Sequence, residues 1–300
     1  MASEKPDILC ISSVLWDIIG RAKMAMQQGA DVPGRITRLP GGVALNIAVT
    51  LTRFGMTPDL LTAIGKDAEG HELVTACKAR GLLTNHIYRS EDLPTDIYMA
   101  VEGANGLIAA IADAHSLEAA GKKILAPLSD GRIATENHPY DGLVALDGNL
   151  TVDLLSDIAH GPLFAQADLR IAPASPGKAD RLLPFLRAER GTLYVNLEEA
   201  GTLCQTLFTD SATAVKELVS RGAKRALVTD GGNLTAEMRR GDTEPRVNTP
   251  PQVLVTRVTG AGDTFMAAHI AAEAGGASDT AALRDALEAA ATYVSGGTPR

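Results

Sequence analysis

The chain has 300 residues, and its 28 Lys and Arg against 36 Asp and Glu give a formal net charge of −8. This acidic balance argues against a polynucleotide partner, because neutralising nucleic-acid phosphates requires a surplus of Lys and Arg on one face. Apolar residues make up 45% of the chain and charged residues 21%, which is the composition of an ordinary globular protein and not of a disordered one.

Cysteine and hydropathy patterns exclude further classes. Cys10, Cys77 and Cys204 lie far apart with no C-x-x-C pair, so neither a disulfide framework nor a structural zinc is indicated. No apolar run approaches the roughly 18 residues that a membrane-spanning helix needs. The N-terminal apolar stretch contains Asp7 and is typical of a strand, not of a targeting signal. We therefore expect a cytoplasmic protein with no membrane partner.

Strand and helix patterns alternate along most of the chain. Short apolar runs predict strands at residues 8–13, 58–64, 142–146, 169–172, 192–195, 226–229, 234–238 and 253–258. Helical patterns predict helices at residues 43–54, 67–80, 261–273 and 280–294. Because parallel strands are joined by crossover helices, this alternation favours a parallel sheet covered on both faces.

Two segments fall outside that alternation. Residues 97–102 and 107–112 have strand character and are separated by Ala104-Asn105-Gly106, in which the Asn-Gly pair is a strong hairpin signal. Residues 14–39 do not fit the strand–helix pattern either. We interpret both segments as a small β appendage on the α/β body.

The strongest chemical signal is Thr259-Gly260-Ala261-Gly262-Asp263, where a predicted strand runs into a long helix. Glycines let the backbone approach a ligand, and the first N–H groups of a helix have no partner inside it, so this turn suits an anion. A carboxylate beside that anion would accept a proton from an attacking hydroxyl. A Gly-rich turn with Asp in the first helical turn explains the same residues without any chemistry.

Three further signals are each open to a structural explanation. Gly41-Gly42 precede a helix in which Asn46 is polar among apolar residues, so Asn46 either binds a sugar hydroxyl or faces solvent. Asn196 and Glu199 follow a strand and either hold hydrated Mg²⁺ or cap the next helix. Asp17 follows the first strand, at the edge where ligand clefts form in α/β sheets.

Phosphate-binding motifs of other folds are absent from the sequence. Pro176-Gly177-Lys178-Ala179 lacks both the leading Gly and the Ser or Thr of a P-loop. No G-x-G-x-x-G follows the first strand, so dinucleotide binding is unsupported.

Taken in order, six segments of the chain resemble the ribokinase-like, or pfkB-type, family of carbohydrate kinases. The resemblance extends from residue 8 to about residue 294, and the order and spacing of the segments are too specific for coincidence. The segments are Asp17, Gly41-Gly42 with Asn46, Gly65-Lys66-Asp67 with Gly70, Asn196 with Glu199, Thr229-Asp230-Gly231-Gly232, and Thr259-Gly260-Ala261-Gly262-Asp263.

The resemblance implies an α/β fold, namely a ribokinase-like three-layer α/β/α domain with a mostly parallel sheet plus a small β-sheet lid. We expect one domain over residues 1–300, with the lid formed by about 14–39 and 93–113. The resemblance also implies ATP with Mg²⁺ as the phosphoryl donor and a nucleoside or sugar hydroxyl as the acceptor. Many members of the family use a monovalent cation such as K⁺ near the anion site, so K⁺ is included as a candidate.

The resemblance further assigns roles to single residues. Asp263 would be the general base, and the amides of Gly260, Ala261 and Gly262 would stabilise charge on the transferred phosphoryl group. Glu199 would organise the metal. The acceptor is assigned to Asp17, Gly41, Gly42, Asn46, Thr95 and Asn149, and the nucleotide to Asn196, Thr229, Gly231 and Gly232.

Within the family, the chain is most similar to the pseudouridine kinases, which make pseudouridine 5′-phosphate. The residues that indicate this are Gly34-Arg35-Ile36, the segment 105–113 and Asp147-Gly148-Asn149-Leu150. A kinase for ribose or another sugar or nucleoside is one alternative, and a sugar- or nucleoside-binding protein without useful turnover is another. The unpaired edges of the lid also predict a homodimer through it.

Overall fold

The computed structural model describes residues 5–299, which contain fourteen β-strands and nine α-helices. The strands are β1 (Ile8–Ile11), β2 (Leu15–Ala22), β3 (Gly34–Gly41), β4 (Pro58–Leu61), β5 (Ala63–Gly65), β6 (Tyr88–Ser90), β7 (Ile97–Gly103), β8 (Gly106–Asp113), β9 (Leu143–Asp147), β10 (Asp168–Ala172), β11 (Thr192–Asn196), β12 (Arg225–Thr229), β13 (Thr235–Arg239) and β14 (Arg246–Asn248). The helices are α1 (Val43–Arg53), α2 (Ala68–Lys78), α3 (His115–Ala120), α4 (Val152–His160), α5 (Leu183–Arg187), α6 (Leu197–Cys204), α7 (Ser211–Ser220), α8 (Ala261–Ala274) and α9 (Asp279–Val294), with 3₁₀ segments at Gly121–Leu128, Pro162–Phe164 and Pro176–Leu182.

Eight strands form the main sheet, in the order β14-β13-β12-β11-β10-β9-β1-β4. The strands from β12 to β4 in this order are parallel, whereas β13 and β14 are antiparallel at one edge. Successive side chains of a strand point to opposite faces, and on β1 Leu9 and Ile11 enter one core cluster while Ile8 and Cys10 enter the other. A strand buried on both faces explains why β1 is a continuous apolar run.

Helices cover both faces of this sheet and complete the predicted three layers. Helices α1, α8 and α9 pack together over the face that carries Ile8 and Cys10. Helices α4 to α7 supply the buried side chains on the opposite face. These observations confirm the α/β fold with a mostly parallel sheet. Within residues 5–299, every helix is too short or too polar to cross a lipid bilayer.

A separate four-stranded sheet, in the order β3-β2-β7-β8, contains the segments that the sequence set apart. The hairpin predicted around Asn105-Gly106 is confirmed as β7 and β8. Strand β2 pairs with β7 in parallel, and Trp16 on β2 is buried where the sheet meets α2, its indole N–H donating to the Glu69 carbonyl at 3.0 Å. That this small sheet acts as a lid stays a proposal.

Two strand predictions are wrong. Residues 58–64 are not one strand, since β4 pairs with β1 whereas β5 pairs with β6, with Thr62 between them. A continuous apolar run does not show a change of pairing partner. Residues 253–258 form no strand, and the side chains of Val253, Leu254, Val255 and Val258 are exposed. The backbone N–H groups of Thr256 and Arg257 donate instead to the Val294 carbonyl at the end of α9.

A buried cluster of charges fixes α8 against the main sheet. The Glu273 carboxylate near the end of α8 pairs with Arg170 of β10 and with Arg225 of β12, in the latter case at 2.7 Å. Burial by itself raises the pKa of Glu273, but His269, Arg170 and Arg225 lower it by more, so the pKa falls to about 2. Burial also lowers the pKa of His269 to about 3, so the imidazole is neutral at pH 7 and hydrogen-bonds the Tyr194 hydroxyl. Each arginine also has a carboxylate of its own, Asp168 for Arg170 and Glu237 for Arg225, so Glu273 is the anion that the two arginines share.

We expect Glu273→Gln to lower the free energy of unfolding by about 1.5–3 kcal/mol, because the two buried guanidinium groups lose their shared anion while each keeps one other carboxylate. Glu288→Gln, on the exposed face of α9, is the matched control and should change it by about 0.5 kcal/mol or less. Urea denaturation of both variants measures the difference. Equal stability of the two variants would contradict a structural role for the cluster.

Candidate active site

The candidate site lies at the carboxyl edge of the main sheet, where α1 and α8 also begin. The parallel strands β1, β9, β11 and β12 all end at this edge. Ligands bind in open α/β sheets in the crevice outside these strand ends. Most of the predicted site residues therefore come to one edge, although they are distant in sequence.

Asp263, in the first turn of α8, is held by Asn46 of α1. The Asn46 amide donates to Asp263 Oδ2 at 2.9 Å, across 217 residues of sequence. Removal from water raises the pKa of Asp263 to about 7, with Asp147 and Glu199 adding to the rise and the Asn46 hydrogen bond opposing it. Asn46 is thus partnered by the predicted base, and the carboxyl group titrates near neutral pH, as suits a proton acceptor.

The turn before α8 has the backbone geometry that its glycines imply. Gly260 has a φ of +86°, and a Cβ there would lie 2.6 Å from the Tyr293 hydroxyl oxygen, so the position favours glycine. The Tyr293 hydroxyl donates to the Thr259 carbonyl at 2.9 Å. The Ala261 amide donates to the Val258 carbonyl at 3.0 Å, so this predicted anion donor is already engaged and must leave that bond to bind a phosphate.

Asp17 of β2 lies against Gly41, the last residue of β3. A Cβ on Gly41 would overlap the Asp17 carboxylate, so the glycine leaves room for it. Burial raises the pKa of Asp17 to about 6. Gly42 then precedes α1, whose Val43 N–H donates to Ser13 Oγ at 3.3 Å. The predicted acceptor residues Asp17, Gly41 and Gly42 are therefore adjacent at the junction of the two sheets.

Asn149 is part of a hydrogen-bonded chain that the sequence did not indicate. Its side chain donates to Ser13 Oγ at 3.2 Å and accepts from Lys178 Nζ at 2.6 Å, while its N–H donates to Asp147 Oδ1 at 2.7 Å. Burial lowers the pKa of Lys178. The sequence did not indicate Lys178, because the residues around it do not form a P-loop. No local pattern shows that the 3₁₀ segment Pro176–Leu182 brings Lys178 to this edge.

Asp147, at the end of β9, is fully buried, and its Oδ2 has no hydrogen-bond partner within residues 5–299. Burial raises the pKa of Asp147 to about 6, although the Asn149 N–H, the Ser12 hydroxyl and the Lys178 charge all oppose the rise. The Ser12 hydroxyl, which follows the neighbouring strand β1, is also buried and makes no hydrogen bond of ordinary geometry to the described part of the chain. Buried polar groups are normally satisfied, so this part of the edge has hydrogen-bonding capacity for a ligand or water.

Thr95 is tied to the start of α2. Its hydroxyl and its N–H both donate to Asp67, at 2.5 and 2.7 Å, and Asp67 also caps α2 through the Gly70 N–H. The donors of Thr95 are therefore occupied within the protein. Its predicted contact with the acceptor stays a prediction.

Asn196 and Glu199 form the capping box that was the structural alternative in the sequence. Asn196 Oδ1 accepts from the Glu199 N–H, and Glu199 Oε2 accepts from the Asn196 N–H, both at 2.8 Å. Burial raises the pKa of Glu199. Glu199 Oε1 takes no part in the box and lies at the carboxyl end of β11. Capping and metal binding are thus compatible for this residue.

The protein oxygens near Glu199 suit a Mg²⁺ ion whose other ligands are waters and substrate phosphates. Within the described residues, no three His, Cys, Asp or Glu side chains are grouped to hold a metal. Mg²⁺ often binds through one or two carboxylates, several waters and substrate phosphates. One carboxylate oxygen of Glu199 beside the nucleotide segments fits that arrangement.

Thr229 is the last residue of β12, and Gly231 and Gly232 lie in the turn that follows it. Thr229 is the register partner of Asn196 on β11, so the two predicted nucleotide segments are neighbours at the sheet edge. Gly231 and Gly232 are exposed, and a Cβ at either would meet no atom within 4 Å. Open space at this turn leaves room for a nucleotide.

The fold and this edge define a kinase for small hydroxyl compounds, and comparison with known proteins identifies the family. Residues 5–299 match the pfkB family of carbohydrate kinases. The chain belongs to this family and is a phosphotransferase with an alcohol acceptor, a sugar or nucleoside kinase. Kinases of this kind use ATP, generally with Mg²⁺.

Individual relatives are similar at modest identity. The chain is 29% identical to the uncharacterized sugar kinase YeiI of Escherichia coli, over 88% of this chain and 72% of that protein. It is 26% identical to the pseudouridine kinase of E. coli, over 88% and 82%. The structure of Arabidopsis thaliana ribokinase complexed with ribose and ATP matches with a TM-score of 0.80 at 22% identity, over 97% and 93%. The ribokinase-like fold is thereby confirmed.

The environment of Asp263 predicts a pH profile. Since a base acts only when ionised, kcat/KM should fall about tenfold per pH unit below an apparent pKa of about 7. Asn46→Ala removes the hydrogen bond that lowers this pKa, so its acid limb should move to higher pH. Asp147→Asn removes a charge that raises it, so its limb should move to lower pH. Phosphoryl transfer from ATP, measured between pH 5 and 9, tests both; displacement of both limbs in the same direction would contradict the assignment.

Proposed function

We propose that the protein phosphorylates pseudouridine at its 5′-hydroxyl with MgATP. The observation that carries the catalytic part is the Asn46–Asp263 hydrogen bond at the start of α8, which places a carboxyl group of pKa about 7 beside a helix N-terminus. The relationship to E. coli pseudouridine kinase, which covers most of both chains, supports the acceptor. The segment Asp147-Gly148-Asn149 at the same edge supports it further.

The reaction follows from the placement of Asp263. The acceptor oxygen attacks the γ-phosphorus of ATP, its proton passes to the Asp263 oxygen that Asn46 does not hold, and the bond to the β–γ bridging oxygen breaks so that ADP leaves with the electron pair. A carboxylate with a pKa near the working pH is suited to this transfer. The positive N-terminal end of α8, with the Gly260 and Gly262 amides, stabilises charge on the transferred group.

The remaining residues position the two substrates. Asp17, with Gly41 and Gly42, binds acceptor hydroxyls at the junction of the two sheets, and Asn149 approaches the acceptor from β9. Glu199 and Asn196 would hold Mg²⁺ through waters, and the ion bound with ATP would supply positive charge against the phosphates. Thr229, Gly231 and Gly232 line the nucleotide.

A second candidate acceptor is a plain sugar such as ribose, because the relative at 29% identity is named a sugar kinase. Binding without turnover is the candidate from another class, and the retained Asp263 argues against it. We assign the protein to the cytoplasm, since its three cysteines are buried free thiols, as is usual in a reducing compartment.

An acceptor screen separates these candidates. With MgATP, we expect kcat/KM for pseudouridine to exceed that for uridine, ribose and common hexoses at least tenfold, a difference of about 1.4 kcal/mol in transition-state binding. Uridine is the matched control because it differs only in the bond between base and sugar. Mass spectrometry of the products measures transfer. Preference for ribose would establish the sugar candidate, and ATP binding without transfer to any acceptor would establish the binding protein.

Asp263→Asn should lower kcat on the order of 10²–10⁴-fold, because it removes the base and keeps the shape of the side chain. Affinity for ATP, measured by calorimetry, should change little. Asp285→Asn, on the exposed face of α9, is the control for a loss of charge elsewhere. An Asp263→Asn enzyme with normal kcat would show that another group takes the proton.

The small sheet supports a homodimer. Its register places Ile36, Met99 and Ile111 on the face opposite to Asp17, and all three side chains are exposed. Association through this face would remove apolar surface from water. Light scattering should give twice the chain mass, and Met99→Lys should halve it. A monomeric mass for the unaltered protein would reject the dimer.

A further inference from the structure

Thr256 and Arg257 precede the predicted anion-binding turn, Gly260–Asp263. This segment is held against the end of α9, mainly through Arg257. The Arg257 side chain donates from Nε to the Tyr293 carbonyl at 2.8 Å and from a terminal nitrogen to the Gly297 carbonyl at 2.7 Å. Its backbone N–H and that of Thr256 donate to the Val294 carbonyl, at 3.2 and 2.8 Å, and the Thr256 hydroxyl does so at 3.0 Å. The last turn of α9 thus gives two carbonyls, and Gly297 beyond its end gives a third, to two residues of this segment.

Arg257 is also stacked on an aromatic ring that reaches the anion-binding turn. Its guanidinium carbon lies 3.7 Å from the centre of the Tyr293 ring, a cation–π geometry. The hydroxyl of that ring donates to the Thr259 carbonyl and lies next to Gly260. Arg257 therefore supports, through Tyr293, the backbone that presents the amides of the turn to a phosphate.

These contacts have the chemistry of a cation site. Carbonyls at the C-terminal end of a helix carry partial negative charge and attract cations, and backbone carbonyls are the ligands with which proteins replace the water of K⁺. Here the Tyr293 and Gly297 carbonyls already bind a guanidinium, which has five N–H donors in a fixed fork and is always charged. A free K⁺ at this place would compete for the same oxygens and meet a like charge. The residues present do not fit the candidate K⁺.

We propose that Arg257 is a cation built into the chain, which positions the turn before α8 and makes phosphate binding independent of K⁺. It acts as a positioning residue, because its contacts are to carbonyls and to Tyr293. The proposal rests on the use of ATP in the proposed function and not on the identity of the acceptor.

ATP binding without acceptor tests this proposal. Calorimetry with Mg²⁺ and a non-hydrolysable ATP analogue is carried out in potassium chloride and in choline chloride at equal ionic strength. We expect the unaltered protein to bind equally, within twofold, in both salts. Arg257→Ala should bind at least tenfold more weakly in choline, and added guanidinium ion should restore part of the affinity, since it can occupy the vacated carbonyls. Arg284→Ala, an exposed arginine on α9, should behave like the unaltered protein.

Hydrogen exchange of residues 256–262 gives a second measurement that needs no nucleotide. These amides should exchange equally slowly in both salts in the unaltered protein and faster in Arg257→Ala, with guanidinium restoring protection. Stronger ATP binding or slower exchange of the unaltered protein in potassium would overturn the proposal, as would an Arg257→Ala variant without rescue by guanidinium. If the unaltered protein binds no ATP, the proposed function fails, and hydrogen exchange alone decides the role of Arg257.

Discussion

The position of α8 is the constraint on which the candidate active site depends. Asp263 lies in its first turn and Glu273 in its last, about 15 Å apart along a helix that rises about 1.5 Å per residue. Asn46 holds the first end and the buried arginines hold the second. Rotation of α8 by one residue, about 100°, would turn Asp263 away from the crevice. Arg225 also pairs with Glu237, and the side chains of Arg225, Glu237 and Glu273 are 0–13% exposed. These ion pairs lie far from Asp263, but they fix the helix that positions it.

The local patterns of the sequence predicted the local features of the structure. The turn at Gly260–Asp263, the Asn105-Gly106 hairpin and the pairing of Asn196 with Glu199 each lie within a few residues, so composition and spacing were sufficient. The contact of Asn46 with Asp263 and the recruitment of Lys178 by Asn149 depend on how strands stack at one edge, and no spacing in the chain encodes them. The strand predicted at residues 253–258 is wrong, because a run of exposed apolar residues shows the same sequence pattern as the residues of a buried strand.

The candidate site combines buried carboxyl groups with a small number of positive groups, within a chain whose net charge is negative. The net charge of −8 is accompanied at the edge by three buried or half-buried carboxyl groups, Asp17, Asp147 and Asp263, whose pKa values burial raises to about 6, 6 and 7. Among the described residues, the groups that supply positive potential here include the dipole of α8, the Lys178 ammonium, and the guanidinium groups of Arg181 and Arg257. A polyanionic donor is thus attracted by placed charges and backbone dipoles, not by a basic surface.

The single tryptophan of the chain lies on β2, at the base of the small sheet, with the Arg38 guanidinium 3.7 Å above its ring. Strand β2 pairs with β7, about 80 residues further along the chain, and such distant pairing is slow because loop closure costs entropy before contacts repay it. We therefore expect Trp16 emission to recover later during refolding than the far-ultraviolet dichroism of the main body. Simultaneous recovery of both signals would show that the two sheets fold as one unit; a delay would mean that the proposed acceptor pocket is the last part of the enzyme to be assembled.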